Sequence, residues 1–195
     1  MIRKLAIAMA LGSVLAMPVQ AETYGVLMKT LSNPFWGAME LGVREGAQEA
    51  GVEYYLQAVE SDQAAEPQLN VCNTMLERKP DAMITAAINS TILLPCLKRA
   101  NSMGIPVVDL DGNLDHKIAA DAGVSISFSI GSDNEAAGAQ GAEYLVSKLG
   151  KGVKGPVLVI EGLSGNITGQ KRARGFFRAT GSTGSRLKGS CLTSR

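Results

Sequence analysis

The chain has 195 residues, of which 46% are hydrophobic and 19% are charged, and its formal net charge is +1 at neutral pH. This composition is that of a folded globular protein, and the near-neutral charge excludes the basic footprint of a nucleic-acid-binding protein. The only histidine, His116, excludes metal sites built from several histidines and weakens any serine–histidine–aspartate hydrolase hypothesis. Because His116 lies in a polar stretch without a partner at a meaningful spacing, we expect it at the surface. We expect no enzyme activity, no cofactor and no metal site.

The first 21 residues have the pattern of an export signal. Arg3-Lys4 forms a positive start, Leu5–Met17 is apolar, and Val19-Gln20-Ala21 is a small-residue cleavage site. The apolar stretch is too short to cross a bilayer comfortably and ends at Pro18, which favours a cleavable signal over a membrane anchor. We therefore predict Glu22 as the mature N-terminus, and a periplasmic protein that does not itself span the membrane.

Strands and helices alternate along the rest of the chain. The predicted strands are Tyr24–Lys29, Val52–Ala58, Ala82–Ala86, Pro106–Leu110, Ser125–Ile130 and Val157–Ile160. The predicted helices are 35–50, a stripe through Leu69, Cys72 and Leu76 that ends before Pro80, then Ile92–Met103, Glu135–Leu149 and a last helix from Gln170 to Phe177. Single helices between strands predict an α/β fold with a doubly wound parallel sheet, in which ligands bind beyond the carboxyl ends of the strands.

The first strand leads into a loop that combines polar and aromatic residues. Lys29 and Asn33 supply hydrogen-bonding groups, Pro34 sets the chain direction, and Phe35 and Trp36 open a helix. An aromatic face beside such groups suits a sugar ring, which has apolar faces and a hydroxyl rim. The alternative is a plain helix start, with an Asn cap, Pro at the first helical position and both aromatics in the core.

Two later segments carry candidate polar groups at the same end of the sheet. Asp111 closes the fourth strand, where its carboxylate could accept two hydroxyls or simply form a turn before Gly112. Asp109 shares its strand face, so one of the two carboxylates can be structural. The glycine-rich loop Gly162–Gly169 lacks both phosphate-binding spacings, and Arg172 beyond it could bind hydroxyls, pair with an acid or face solvent.

Cysteine usage and the end of the chain give two further expectations. Cys72 and Cys96 lie on consecutive predicted helices, and an oxidising compartment favours a disulfide between them over two buried thiols. From Arg178 to Arg195 there is no acidic residue and no apolar periodicity, which predicts disorder. A helix that loses its pattern after Phe177 is typical of a truncated or frame-shifted product.

In their order along the chain, these residues resemble the periplasmic sugar-binding proteins of ribose-type ABC importers, in particular the allose-binding members. The motifs that carry the resemblance are Leu27–Trp36, Pro106–Asp111, Gly131–Asn134 and Gly162–Phe176. The resemblance covers roughly residues 23–176 and implies the type I periplasmic binding protein fold. It also implies two lobes that close on a monosaccharide, an allose- or ribose-like sugar, and delivery to a membrane permease.

The resemblance also implies a set of sugar-contacting residues. Phe35 and Trp36 would stack on the sugar ring. The hydrogen-bonding members would be Lys29, Asn33 and Asp111 from the first lobe and Arg172 from the second, with Asn166 as a weaker candidate.

The domain organisation follows from the same resemblance. Residues 22–133 would form the first lobe, without its return segment, 134–177 would begin the second, and 178–195 would be the tail. Since family members continue beyond this point, we expect a truncated or defective monomeric copy with weak or no sugar binding. The alternatives are a sugar-sensing receptor without a transport role and, less favoured, the core of a ligand-binding regulator, which would need a DNA-binding segment where the export signal stands.

Overall fold

The computed structural model describes residues 22–150, 155, 157–160 and 162–181. The predicted signal segment and residues 182–195 of the predicted tail lie outside the described residues. The strands are β1 (Thr23–Leu27), β2 (Glu53–Gln57), β3 (Ala82–Thr85), β4 (Val107–Leu110) and β5 (Phe128–Ile130). The helices are α1 (Pro34–Ala50), α2 (Ala65–Leu76), α3 (Leu94–Ser102), α4 (His116–Asp121), α5 (Asn134–Leu149) and α6 (Ile167–Thr180).

The five strands form one parallel sheet in the order β2-β1-β3-β4-β5. This order is that of doubly wound sheets, and the predicted α/β class is confirmed. The chain leaves β1 for β2 on one side and reaches β3 on the other, so a crevice opens between the ends of β1 and β3. We call residues 22–133 the sheet unit, and α5 with α6 the helix pair. In the described residues we find no helix with the length and apolar content needed to cross a membrane.

The core lies between the sheet and helices α2 and α3. Leu27, Met83 and Val107 from the central strands are completely buried against Leu76 and Leu97 from the two helices. These side chains recur at the spacings that put one face of each helix against a sheet. A disulfide joins Cys72 of α2 to Cys96 of α3 inside this core.

Three segments before the last helix depart from the prediction by more than two residues, beginning with residues 112–124, where no element was predicted. Residues 112–124 contain α4, which has only six residues and no clear apolar stripe, and Asp115 caps it by accepting from Ile118 N at 2.9 Å. The fifth strand pairs only over Phe128–Ile130 instead of Ser125–Ile130. Residues 157–160 are described but form no strand, because no described strand runs beside them and a strand is defined by its pairing.

The last helix is longer than predicted at both ends. It begins at Ile167 rather than Gln170, and it continues through Thr180 rather than ending at Phe177. The predicted disorder is therefore wrong for residues 178–180. Arg178 Nη1 contacts Glu135 Oε1 of α5 at 2.7 Å, an ion pair between helices that periodicity along the chain does not reveal.

The helix pair crosses at two glycines. A Cβ placed on Gly138 of α5 would lie 1.9 Å from the Arg172 carbonyl oxygen, and one on Gly175 of α6 would lie 1.9 Å from the Glu135 carbonyl oxygen. Any larger residue would force the two backbones apart. This close approach fixes the position of α6, which carries one wall of the cavity described next.

Candidate functional site

A cavity of about 290 Å³ lies beyond the carboxyl ends of β1 and β4. This volume is at the small end of the range for ligand sites, about 300 to 1,000 Å³, and suits a small molecule. All seven residues selected from the sequence line it, namely Lys29, Asn33, Phe35, Trp36, Asp111, Asn166 and Arg172. The structure thus brings the whole predicted set together, from the sheet unit on one side and α6 with its preceding loop on the other.

Lys29 and Asp111 form an ion pair in the floor of the cavity. The Lys29 ammonium lies 3.4 Å from Asp111 Oδ2 and 4.9 Å from the centre of the Trp36 ring. Lys29 is only 4% exposed, and a buried ammonium requires a charged or polar partner. The pair leaves Asp111 Oδ1 and the remaining ammonium protons as groups that a polyol could use.

The Asp111 backbone is held in a left-handed conformation. Its φ is +68° and that of Gly112 is +60°, a turn that aspartate tolerates better than most residues. Asp111 N donates to Ile130 O at 2.7 Å, and Gly131 packs against the turn, where a Cβ would come within 3.1 Å of the Asp111 carbonyl carbon. The predicted turn before Gly112 is therefore present, and it directs the carboxylate into the cavity.

The aromatic pair starts helix α1 and also lines the cavity. Asn33 Oδ1 accepts from Phe35 N at 3.0 Å, and Pro34 is the first helical residue, so the predicted cap and helix start are confirmed. The expectation that both aromatics lie in the core is right for Trp36 and wrong for Phe35. Phe35 is half exposed and its ring meets that of Trp36 edge to face at 4.9 Å, whereas Trp36 is 3% exposed. The two interpretations weighed from the sequence are compatible, because the same turn caps the helix and positions the rings.

The opposite wall is the first turn of α6. Asn166 caps this helix, since its Oδ1 accepts from Gly169 N at 3.1 Å and from Thr168 Oγ1 at 2.6 Å. Arg172 follows on the same helix and lines the cavity with an exposed side chain. No described carboxylate forms an ion pair with it, so the guanidinium is available for hydroxyl groups.

Four lining residues were missed by the sequence analysis. Asp62 and Thr168 are polar, Ile88 and Leu163 apolar. Asp62 Oδ1 is buried and accepts no hydrogen bond from the described residues, which is costly for a carboxylate oxygen unless a ligand donates to it. Asp62 follows β2, so the rule that ligands bind beyond the carboxyl ends of strands could have selected it.

A buried amide, that of Gln68, links the backbone segments that follow β1 and β3. Gln68 of α2 donates from Nε2 to Ala86 O at 2.8 Å and to Met28 O at 3.3 Å, and its Oε1 accepts from Ile88 N at 2.9 Å. It is completely buried with its hydrogen bonds satisfied. By accepting from Ile88 N, Gln68 fixes the backbone of the segment that places Ile88 at the cavity. Nothing in the sequence pattern indicated this role of Gln68.

Asp109 lies outside the cavity and belongs to a separate cluster. It is completely buried, Ser129 Oγ donates to its Oδ2 at 3.1 Å, and His116 Nε2 lies 2.7 Å from Ser129 Oγ and 3.5 Å from the same carboxylate oxygen. Burial raises the pKa of the Asp109 carboxyl, and the hydrogen bonds from Ser129 and His116 partly offset this. His116 is exposed as predicted, but the expectation that it has no partner is wrong, because strand pairing sets Ser129 opposite Asp109.

This cluster does not have the geometry of a hydrolase triad. The carboxylate and the serine both approach Nε2 of His116, whereas a triad needs the acid on one ring nitrogen and the serine on the other. The described residues contain no group of three or more histidine, cysteine or acidic side chains placed to hold a metal ion. What the main cavity offers is an aromatic surface ringed by charged and amide groups, which suits a neutral polyol.

Comparisons with known proteins agree with this geometry. The family model of the periplasmic binding protein domain matches residues 24–189. The chain is 34% identical over 159 residues to the D-allose-binding periplasmic protein of Escherichia coli, which covers 82% of this chain and 51% of that protein. It is 27% identical over 154 residues to the ribose import binding protein of Bacillus subtilis, covering 79% of this chain and 47% of that protein.

A solved structure shares the fold. The periplasmic solute-binding protein of an ABC transporter from Actinobacillus succinogenes, with bound D-allose, superposes with a TM-score of 0.73 at 32% identity, covering 82% of this chain and 55% of that one. The chain thus spans about half the length of the relatives it matches. These relatives are binding proteins and not enzymes. On the strength of the family match and the shared parallel sheet, the chain belongs to the periplasmic binding protein domain family.

Proposed function

We propose that this chain binds a monosaccharide of the allose or ribose class in the cavity between the sheet unit and α6. In this proposal the protein is the periplasmic substrate-binding component of an ABC-type sugar importer. Residues 1–21 direct its export, and a membrane permease is its partner. The sheet unit belongs to the first lobe of the binding protein and the helix pair to the second.

The observation that carries the proposal is the composition of one small cavity. An ammonium, two carboxylates, a guanidinium and two amides surround an aromatic pair within about 290 Å³. Phe35 and Trp36 contact apolar parts of the sugar with rings at 86° to one another, so one ring stacks on a face and the other presents its edge. Lys29 and Asp111 bond hydroxyls from one wall and Arg172 bonds them from the other. Supporting this, one relative is named for binding D-allose and a solved relative holds D-allose.

Isothermal titration of the full chain with D-allose and D-ribose tests the proposal. The sequence alone led us to expect weak or no sugar binding from a truncated copy. Because all seven candidate residues line one cavity, we instead expect saturable binding of at least one of the two sugars, and no binding would support the defective copy. Hydrogen bonds to charged groups contribute about 1.5 to 3 kcal/mol, so R172A and D111N are each expected to weaken binding by at least about tenfold. Asparagine tolerates the left-handed backbone of Asp111, so D111N removes the charge without straining the turn.

Arg174 provides the matched control. It is exposed, lies on the same helix two residues beyond Arg172, and does not line the cavity. R174A is expected to bind the sugar as the parent chain does. A chain that is folded by circular dichroism but gives no binding with either sugar would contradict the proposed function. Equal losses in R172A and R174A would contradict the role given to Arg172.

A further inference from the structure

The two walls of the cavity come from different parts of the chain, and one side-chain hydrogen bond joins them. Asn113, in the loop between β4 and α4, accepts at Oδ1 from Ile167 N at 3.0 Å. In the part of the chain that the structure describes, no other side-chain hydrogen bond or ion pair links the sheet unit to the helix pair outside the connecting residues 132–136. Residues 54 positions apart in sequence are thus brought together directly beside the cavity.

The other end of the Asn113 amide is anchored in the sheet unit. Its Nδ2 donates to Ala87 O and Ile88 O, each at 2.9 Å, and the residue is completely buried. An amide that makes three good hydrogen bonds in a buried position has one defined orientation. Asn113 therefore presents its Oδ1 to α6 as a rigid acceptor, two residues after Asp111.

The partner on α6 is a group that lacks a bond within its own helix. Ile167 is the first residue of α6, and the N–H groups of a first helical turn have no intrahelical acceptor. The Asn166 cap bonds Gly169 N and Thr168 Oγ1 and leaves Ile167 N to Asn113. Any separation of the sheet unit from the helix pair would break this bond and leave the Ile167 N–H to water.

We propose that Asn113 is a latch that holds the helix pair over the sheet unit and so keeps the cavity closed. Asn113 is a positioning residue in this proposal, because it sets the separation of Asp111 from Arg172. The effect on sugar affinity rests on the proposed function, whereas the effect on the separation of the two walls does not.

A proline at position 167 removes the donor while sparing the helix. Proline is well suited to the first helical position, where it has no N–H to give. Asn166 already has φ −81° and ψ 108°, the extended conformation that a residue before proline adopts. I167A is the matched control, because it loses the isoleucine side chain but keeps the N–H.

The first readout is the distance between the two walls and does not depend on a sugar. Spin labels are placed by K117C on α4 and R174C on α6, two exposed positions, in a C191S background that leaves only these two thiols to react. Pulsed electron resonance is expected to show a longer or broader distance distribution for I167P than for I167A. Identical distributions would overturn the latch.

The second readout is sugar binding, measured as the dissociation constant and the dissociation rate for D-allose. A net hydrogen bond of about 0.5 to 1.5 kcal/mol predicts an affinity about 2- to 10-fold weaker in I167P than in I167A, mostly through faster dissociation. N113A also removes the bonds from Asn113 Nδ2 to Ala87 O and Ile88 O, so the two variants are compared as a double-mutant cycle. I167P should weaken sugar affinity less in an N113A background than in the parent chain, because the bond to Ile167 N is already lost there.

The two readouts separate failure of the latch from failure of the proposed function. Equal affinities in I167P and I167A would overturn the role of Asn113 in sugar retention. If the parent chain binds no sugar, that result counts against the proposed function alone. The distance distributions of I167P and I167A then decide by themselves whether Asn113 holds the two walls together.

Discussion

At the scale of single residues, several groups at this site serve the fold and line the cavity at the same time. Asn33 caps α1 while lining the cavity, and Asp111 closes a strand, adopts a left-handed turn and pairs with Lys29. Each structural role restricts the side chain to one orientation. A ligand that meets such groups loses less binding free energy to ordering them than it would with mobile side chains.

Asp109 gives a prediction about pH. Burial raises its pKa in the folded chain above the unfolded value of about 3.9, so its contribution to stability is complete below that pH and declines as pH rises toward the folded pKa. D109N cannot ionise and escapes this decline. We expect the free energy of unfolding of D109N, relative to the parent chain, to increase from about pH 4 to about pH 7.

The D109N comparison is made by urea unfolding in an H116Q background. His116 Nε2 lies 3.5 Å from Asp109 Oδ2, and H116Q removes this ring from the comparison. An amide buried at position 109 also brings a constant difference in stability, so the diagnostic quantity is the change with pH. If the difference in free energy of unfolding between D109N and its reference does not change with pH, burial does not disfavour the ionised form of Asp109.

At the scale of elements, the helix pair depends on glycine rather than on apolar side chains at its crossing point. We predict that G138A lowers the free energy of unfolding by about 1 to 3 kcal/mol, because a Cβ there would lie 1.9 Å from the Arg172 carbonyl oxygen. G141A lies on the same helix, where a Cβ has open space. It is expected to be neutral or to stabilise by up to about 1 kcal/mol, since alanine favours helix more than glycine does.

Urea unfolding followed by circular dichroism compares G138A with G141A. If both variants have the stability of the parent chain, the two helices do not cross as closely as described. The same change in packing would move Arg172, so G138A should also weaken sugar binding while G141A should not.

At the scale of the whole molecule, a sugar that contacts both walls should stabilise the entire chain. A ligand at 100 times its dissociation constant adds about 2.7 kcal/mol to the folded state. For a chain of this size about 1 kcal/mol raises the melting temperature by about 2 to 4 °C, so we expect a rise of about 5 to 10 °C with D-allose. Differential scanning calorimetry measures it, and the rise should be much smaller in R172A. An equal rise in R172A would mean that stabilisation does not come from sugar held between the two walls.

Much of the fold could be predicted from the sequence because the relevant signals are local. The apolar stripe of α2, the buried strands β1, β3 and β4 and the Asn33 cap of α1 all depend on neighbours within a turn or two. Because ligands of parallel sheets bind beyond the carboxyl ends of the strands, the strand assignments alone selected Lys29 and Asp111 as candidates. The predictions that failed are those for which local signals are too weak or not sufficient. Helix α4 has too few residues for a periodic signal, and residues 157–160 are apolar but have no described partner strand.

The sequence by itself determined the alternation of strands and helices and the family resemblance, since both depend on residue type, order and short spacing, and the resemblance in turn implied the seven candidate residues. Only the tertiary structure decided that Gln68 anchors the crevice and that Asn113 bridges to α6. Those contacts join residues far apart along the chain, and their partners are backbone atoms, which are the same in every residue type. The physical reason is that periodicity records which face of an element is buried, whereas the direction of a buried amide is set by the elements that pack around it.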